Sequence, residues 1–179
     1  MSAYFHFYLC GRIAAEWLIN MDDAMKKKLA AATFQNLCKA MDKDEWHYKK
    51  DEEKLSIECG AQGDDLPIEL KIHVDADRQL VILLSFLPVT FPEDKRIDGA
   101  VAASIINNRL VTGNFDYDVT EGRVIFRMTA TFLESVLSEE VFKYLLYSSC
   151  QIIDEYNDKL LMLAKGMMDM EKFIQMENE

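Results

Sequence analysis

The stretch from Ile68 to Phe86 constrains this chain most. Its first half alternates strictly, with Ile68, Leu70, Ile72 and Val74 separated by Glu69, Lys71 and His73, and residues 79–87 are apolar almost throughout. A period of two means an extended strand with one buried face, and two such runs flanking Ala76-Asp77-Arg78 predict an antiparallel hairpin. Pairing Val74 with Leu80 sets Ile72 against Ile82, Leu70 against Leu84 and Ile68 against Phe86, all on the core side. A slip of one residue would send every side chain to the wrong face. The same register turns Val81 and Leu83 outward beside His73 and Lys71, so Lys71, His73, Val81 and Leu83 are expected to form a protein-binding surface on the outer face of the sheet. The chain's own candidates for covering that face are an N-terminal arm carrying Phe5, Phe7 and Leu9, and a Met-rich tail.

Other elements follow from pattern. Asp22 or Asp23 can cap a helix to about Met41 with Met25, Leu29, Phe34, Leu37 and Met41 on one face, after an arm or extra helix over residues 1–20. A short strand at Trp46 to Tyr48 and a half-buried one through Leu55, Ile57 and Cys59 come next. Thr90-x-x-Glu93 with Pro92 reads as a capping box opening a helix to about Leu110, whose apolar face is Ile97, Val101, Ile105 and Leu110. Gly99, Ala100, Ala102 and Ala103 leave a small surface on that helix, and Ile97, Gly99, Ala100 and Ala103 are the expected dimer interface. A Glu121-Gly122 turn joins two strands so that Val119 opposes Val124, Tyr117 opposes Phe126 and Phe115 opposes Met128, with Asp116 facing Arg127 outside. Ser138 starts a long helix carrying Val141, Leu145, Ile152, Tyr156, Leu160, Leu163 and Met167. The expected organisation is an arm over residues 1–20, one α+β domain over 21–165 and a Met-rich tail over 166–179. The methionines of the tail suit helix packing or an adaptable binding surface.

Acidic residues outnumber basic ones 31 to 20 in the 179-residue chain, a net charge of −11 that disfavours nucleic acid as a partner. Cys10, Cys38, Cys59 and Cys150 are widely spaced, without CxxC, which points to a reducing cytoplasm rather than a disulfide framework. The apolar stretch near Ala3 to Cys10 lacks a basic lead and a cleavage site, and Arg12 and Glu16 interrupt it too soon for a membrane span. His6, His47 and His73 lie in separate elements without HExxH spacing. Glycine-rich nucleotide motifs and GxSxG are missing from the sequence. The run Asp116-x-Asp118-x-Thr120-Glu121-Gly122 has its glycine one place late for a calcium loop and Arg127 where a glutamate is needed. The expectation is therefore no catalytic residue, no metal and no cofactor.

Ile106-Asn107-Asn108, then Gly113-x-Phe115 before an Asp-rich strand, and Leu137-Ser138-Glu139-Glu140 opening the last helix carry a resemblance. With them, the element order α-β-β-β-α-β-β-α resembles a type III secretion chaperone-like fold, and the segment from Trp46 to about Leu160 resembles the bacterial YbjN family. YbjN-like proteins are described as proposed sensory transduction regulators, and the fold they resemble is dimeric and holds extended segments of client proteins. The resemblance implies a non-catalytic, dimeric, cytoplasmic protein-binding module of regulatory or chaperone type. The alternative is a small-molecule sensor or enzyme with a pocket between helix and sheet.

Overall fold

The computed structural model describes residues 22–178; the expected N-terminal arm lies outside them. Helix α1 (Asp23–Lys43) begins where Asp22 accepts a hydrogen bond from the Ala24 amide, 3.3 Å, and buries Ala30, Phe34, Leu37 and Met41 along one face. Met25, expected on that face, is exposed. Strands β1 (Tyr48–Asp51), β2 (Ser56–Gln62), β3 (Pro67–Asp75) and β4 (Leu80–Thr90) follow. After a 3-10 turn over Glu93–Lys95 come helix α2 (Arg96–Arg109), strands β5 (Asn114–Asp118) and β6 (Arg123–Thr131), and helices α3 (Glu139–Ala164) and α4 (Met170–Asn178). The class is α+β: a six-stranded antiparallel sheet ordered β1-β2-β3-β4-β6-β5 with helices against one face. Helix α3 packs on β3, β4 and β6, α1 on α3 and β3, α2 on β5, and α4 on α2 and α3.

The β3–β4 hairpin forms, but one residue away from the expected register. Val74 pairs with Val81, Ile72 with Leu83 and His73 with Ile82. The loop has four residues, 76–79, rather than three. Asp75 Oδ1 accepts from the Arg78 amide at 2.9 Å, and Gln79 is buried in a left-handed conformation, φ 51°. The Gln79 carbonyl accepts from the Phe132 amide at 3.0 Å and from Thr131 Oγ1 at 3.3 Å, so a distant strand end sets the turn. Because side chains alternate, this single residue inverts β4. Val81 and Leu83 point into the core, each 1% exposed, and Leu80, Ile82, Leu84 and Phe86 point out. Ile57, Ile72, Leu83 and Met128 then form one buried row across four strands. Pro88 sits where the β4–β6 register shifts between Phe86 and Thr90, a place in an interior strand that tolerates a residue without an N–H.

The second hairpin is offset by two residues from expectation, which preserves its faces. Phe115 pairs with Phe126 and Tyr117 with Val124, and Val119 lies in a four-residue loop. Asp118 holds that loop by accepting from the Thr120 amide and hydroxyl at 2.9 and 2.6 Å. Gly122 closes it at φ +72°, where a Cβ would stand 2.2 Å from the Phe91 carbonyl oxygen.

Helix α2 departs from expectation at its start and on its faces. Thr90 ends β4 and no side chain caps the 3-10 turn or α2, so the capping box does not form. The buried face is the small one, Gly99, Ala102, Ala103 and Ile106, while Ile97 is 69% exposed and Val101 is also exposed. The Tyr117 ring occupies the space beside Gly99: a Cβ there would lie 2.5 Å from the phenol oxygen. Gly99 and Ala103 thus pack inside the subunit, a correction to their expected place in a dimer interface, and Ile97 faces outward.

Ser138 caps α3 by accepting from the Val141 amide, 3.3 Å. Leu145, Tyr156, Leu160 and Leu163 are buried as expected, together with Phe142, Leu146 and Ile153, whereas Val141 and Met167 are exposed. Beyond Gly166 the chain forms α4, which buries Phe173 and Glu177. The Glu177 carboxylate accepts from Lys159 Nζ at 3.0 Å and lies 3.7 Å from Arg109 Nε. Met168 is buried and Met162 and Met170 pack against the core, so much of the methionine cluster serves helix packing.

Candidate functional site

Inverting β4 changes what the outer face offers. Leu80, Ile82 and Leu84 are partly exposed in a line along the strand, and Phe86, at the end of that line, is 47% exposed. Lys71 and His73 stand beside them on β3 and are exposed, as the sequence reading placed them. Val81 and Leu83 are absent from this face. On the other side Ile82 is paired with Thr129 and Leu84 with Arg127. A groove of about 910 Å³ runs over this surface, with Ile82 and Leu84 among its lining residues and Lys27, Leu55 and Arg78 at its margins. A shallower hollow of about 560 Å³ adjoins it at His47, Tyr48, Glu58 and Lys71.

Several charges on this face are paired: the groove-lining Lys54 with Asp51, Lys71 with Glu58 and Arg78 with Asp75, and, beside the groove, Arg127 with Asp116. Lys71 Nζ donates to Glu58 Oε1 at 2.9 Å and holds that carboxyl below the usual carboxylate range. Arg127 grips Asp116 with two bonds, Nε to Oδ2 at 2.7 Å and Nη2 to Oδ1 at 3.0 Å. An apolar strip between neutralised pairs suits contact with another apolar surface rather than with an ion.

The residues that carried the resemblance have structural work. Asn107 Oδ1 accepts from the Phe115 amide at 2.7 Å and its Nδ2 donates to the Phe115 carbonyl at 2.9 Å, so a side chain of α2 acts as the missing neighbour of edge strand β5. Glu139, beside the Ser138 cap, binds Lys43 and ties α3 to α1. None of these residues lies on the outer-face groove.

The three described cysteines are held as thiols. Burial pushes Cys59 up to about 12 and Cys150 to about 11, and raises Cys38, which keeps all three thiols protonated near neutrality. Among the described residues no group of three His, Cys, Asp or Glu side chains is arranged to hold a metal ion, and no helix is long and apolar enough to cross a membrane.

The outer-face residues Leu80, Ile82, Leu84 and Phe86 were missed because β4 is apolar in both parities. The local trace is Asp75, which accepts the amide of Arg78 inside the loop, while the register itself is set by the contacts of Gln79 with the end of β6.

No protein-family model and no curated protein matches the sequence. Solved structures do match, two of them as follows. One is YbjN, a proposed transcription regulator from E. coli, at TM-score 0.52 and 14% identity, covering 71% of this chain and 93% of that one. The other is the HopA1-SchA chaperone–effector complex, at TM-score 0.47 and 14% identity, covering 71% and 95%. The sheet and helices described above are therefore arranged as in YbjN, over most of that protein's length.

Proposed function

We propose that the chain is a non-catalytic, cytoplasmic protein-binding module of regulatory or chaperone type, and that its partner seats on the outer face of β4. The observation that carries this reading is the line Leu80, Ile82, Leu84 and Phe86, apolar and uncovered by any described element, flanked by Lys71 and His73. Monomeric proteins seldom leave such a surface bare. The fold shared with YbjN is in keeping with a regulatory role. The test compares wild type with Leu84→Asp for retention of co-purifying protein from the source lysate. Loss of the same partner with unchanged circular dichroism is expected, and undiminished retention removes β4 from the site.

The chain is also proposed to be a homodimer, joined through the solvent side of α2, where Ile97 and Val101 stand one turn apart with Ala100 between them. Sedimentation should give a dimer that Ile97→Glu converts to monomer; a wild-type monomer at high concentration ends the idea.

A second reading, a small molecule held between helix and sheet, has one observation in its favour. Asn157 is buried on α3 with neither its Nδ2 nor its Oδ1 hydrogen-bonded, an arrangement that costs free energy unless something pairs with it. Native mass spectrometry of the purified chain distinguishes the two, since a stoichiometric bound metabolite supports the second.

A further inference from the structure

We propose that Trp46, Tyr144 and Tyr147 form a docking ledge for a proline-rich segment of another protein that also carries a basic residue. None of the three lines the groove over β4, so the ledge stands on its own observations. Two backbone devices present the rings. Helix α1 ends with the Glu45 amide donating to the Asp42 carbonyl at 3.3 Å and the Trp46 amide donating to the Met41 carbonyl at 2.9 Å, and Glu45 is left-handed, φ 56°. This is a Schellman ending, which turns the chain sharply and sets Trp46 back beside the helix end. Tyr144 and Tyr147 stand one turn apart on α3 and therefore share a face.

The rings are exposed, angled and fixed. Trp46 and Tyr147 meet edge to face, with centroids 6.1 Å apart and planes at 68°, and Tyr144 and Tyr147 are both exposed. The Tyr147 hydroxyl donates to Asp44 Oδ2 at 3.2 Å, and Lys143 Nζ donates to Asp44 Oδ1 at 2.6 Å. Trp46 Nε1, a donor only, is open to water and bonded to no described residue. A fixed pair of steeply angled rings with a free N–H beside them suits a flat apolar ring next to a carbonyl. A polyproline II segment supplies both, since it presents its pyrrolidine rings and carbonyls outward and has little conformational freedom left to lose.

Charge sets the rest of the partner's chemistry. Glu45 precedes Trp46 and Glu140 lies one turn before Tyr144; both are exposed and form no ion pair among the described residues. The nearby cations Lys43 and Lys143 are already engaged by Glu139 and Asp44. Glu45 holds its carboxylate there at a conformational cost, because a left-handed position favours glycine. A lysine or arginine beside the prolines meets these carboxylates and can stack on the rings. A second copy docked ledge to ledge would instead set like carboxylates together, in a chain whose net charge is already −11.

The test follows the fluorescence anisotropy of a labelled ten-residue oligoproline with an arginine at each end, titrated with the full chain. A glycine–serine peptide bearing the same arginines is the comparison. Saturable binding of the oligoproline is expected, with the glycine–serine peptide weaker by about tenfold. Tyr144→Ala, and Trp46→Phe, which removes the N–H, should each weaken oligoproline binding about tenfold with circular dichroism unchanged. Glu45→Gly should weaken it about threefold while raising the thermal midpoint, a combination that a purely structural role for Glu45 does not produce. Equal binding of the two peptides would reduce the site to charge and overturn the proposal. So would no binding at millimolar peptide, or binding indifferent to Tyr144→Ala and Trp46→Phe. A dimer in sedimentation that Tyr144→Ala dissolves would give the ledge to a second copy, and loss of peptide binding in Leu84→Asp but not in Tyr144→Ala would move the peptide to β4; either result also overturns it.

Discussion

Leu83 and Leu84 are the same side chain on the same strand, one residue apart. Leu83 lies in the buried row with Ile57, Ile72 and Met128, while Leu84 stands between Lys71 and Arg127 on the outer face. What separates them is the length of the 76–79 loop, which neither helix pattern nor composition dictates and which is set by the contacts of Gln79 with the end of β6. The sharpest way to break this comparison is to put the same charge at both positions. Leu83→Asp leaves a carboxylate without a partner in the core and should cost about 4 kcal/mol or more by chemical denaturation, whereas Leu84→Asp, with water in reach, should cost about 1 kcal/mol. Equal losses would mean that the assigned register is wrong.

A gentler pair makes the same point with cavities. Ile72→Ala should cost roughly 2–5 kcal/mol, through lost transfer energy and the space left under α1 and α3, while His73→Ala on the other face should stay within about 0.5 kcal/mol. Thermal unfolding of the two variants checks the ratio. Asn107→Ala tests the sheet's edge: removing a side chain that pairs both backbone groups of Phe115 should cost about 1–3 kcal/mol, and hydrogen exchange should rise at the Phe115 amide. Unchanged exchange there would show that α2 does not hold β5.

The smallest effects are in pH. The native Cys59 and Cys150 thiols keep their protons to about 12 and 11, while the unfolded chain releases them near 9.0, so between about pH 9 and 11 the unfolded state binds fewer protons. Stability therefore falls as pH rises through that window and is flat in this respect below it. A Cys59→Ala, Cys150→Ala double variant should show a shallower alkaline limb in denaturation midpoints, and an unchanged limb would place those thiols in contact with water. On the outer face Glu58 works in the opposite sense, its lowered value adding stability above the unfolded value that is lost as pH falls, but the pair with Lys71 is exposed and the effect should be the slightest of all.

These contrasts show why some elements could be read and others could not. Helices α1 and α3 announce themselves through caps at Asp22 and Ser138 and apolar residues at helical spacing, because a cap and a one-sided stripe have few alternative uses. The β5–β6 hairpin kept its faces despite a two-residue offset, since Phe115 and Tyr117 alternate with Asn114, Asp116 and Asp118, Arg123 and Arg127 mark the outer face of β6, and only an even shift is allowed. The Asn107 and Phe115 positions were visible as a motif, but their pairing was not, because a side chain completing a strand edge leaves no periodicity.

By itself the sequence determined the α+β class, the antiparallel hairpins and the two capped helices, all from local spacing and alternation. Tertiary structure alone decided which side of β4 meets the core, since residues 80–84 are apolar in both parities and no local term prefers one. It likewise turned the small face of α2 inward, because the Tyr117 ring fits against Gly99 where Ile97 or Val101 would be too large. Both decisions rest on contacts between residues far apart in the chain, whose fit depends on volumes and hydrogen bonds that exist only once the sheet and helices have come together.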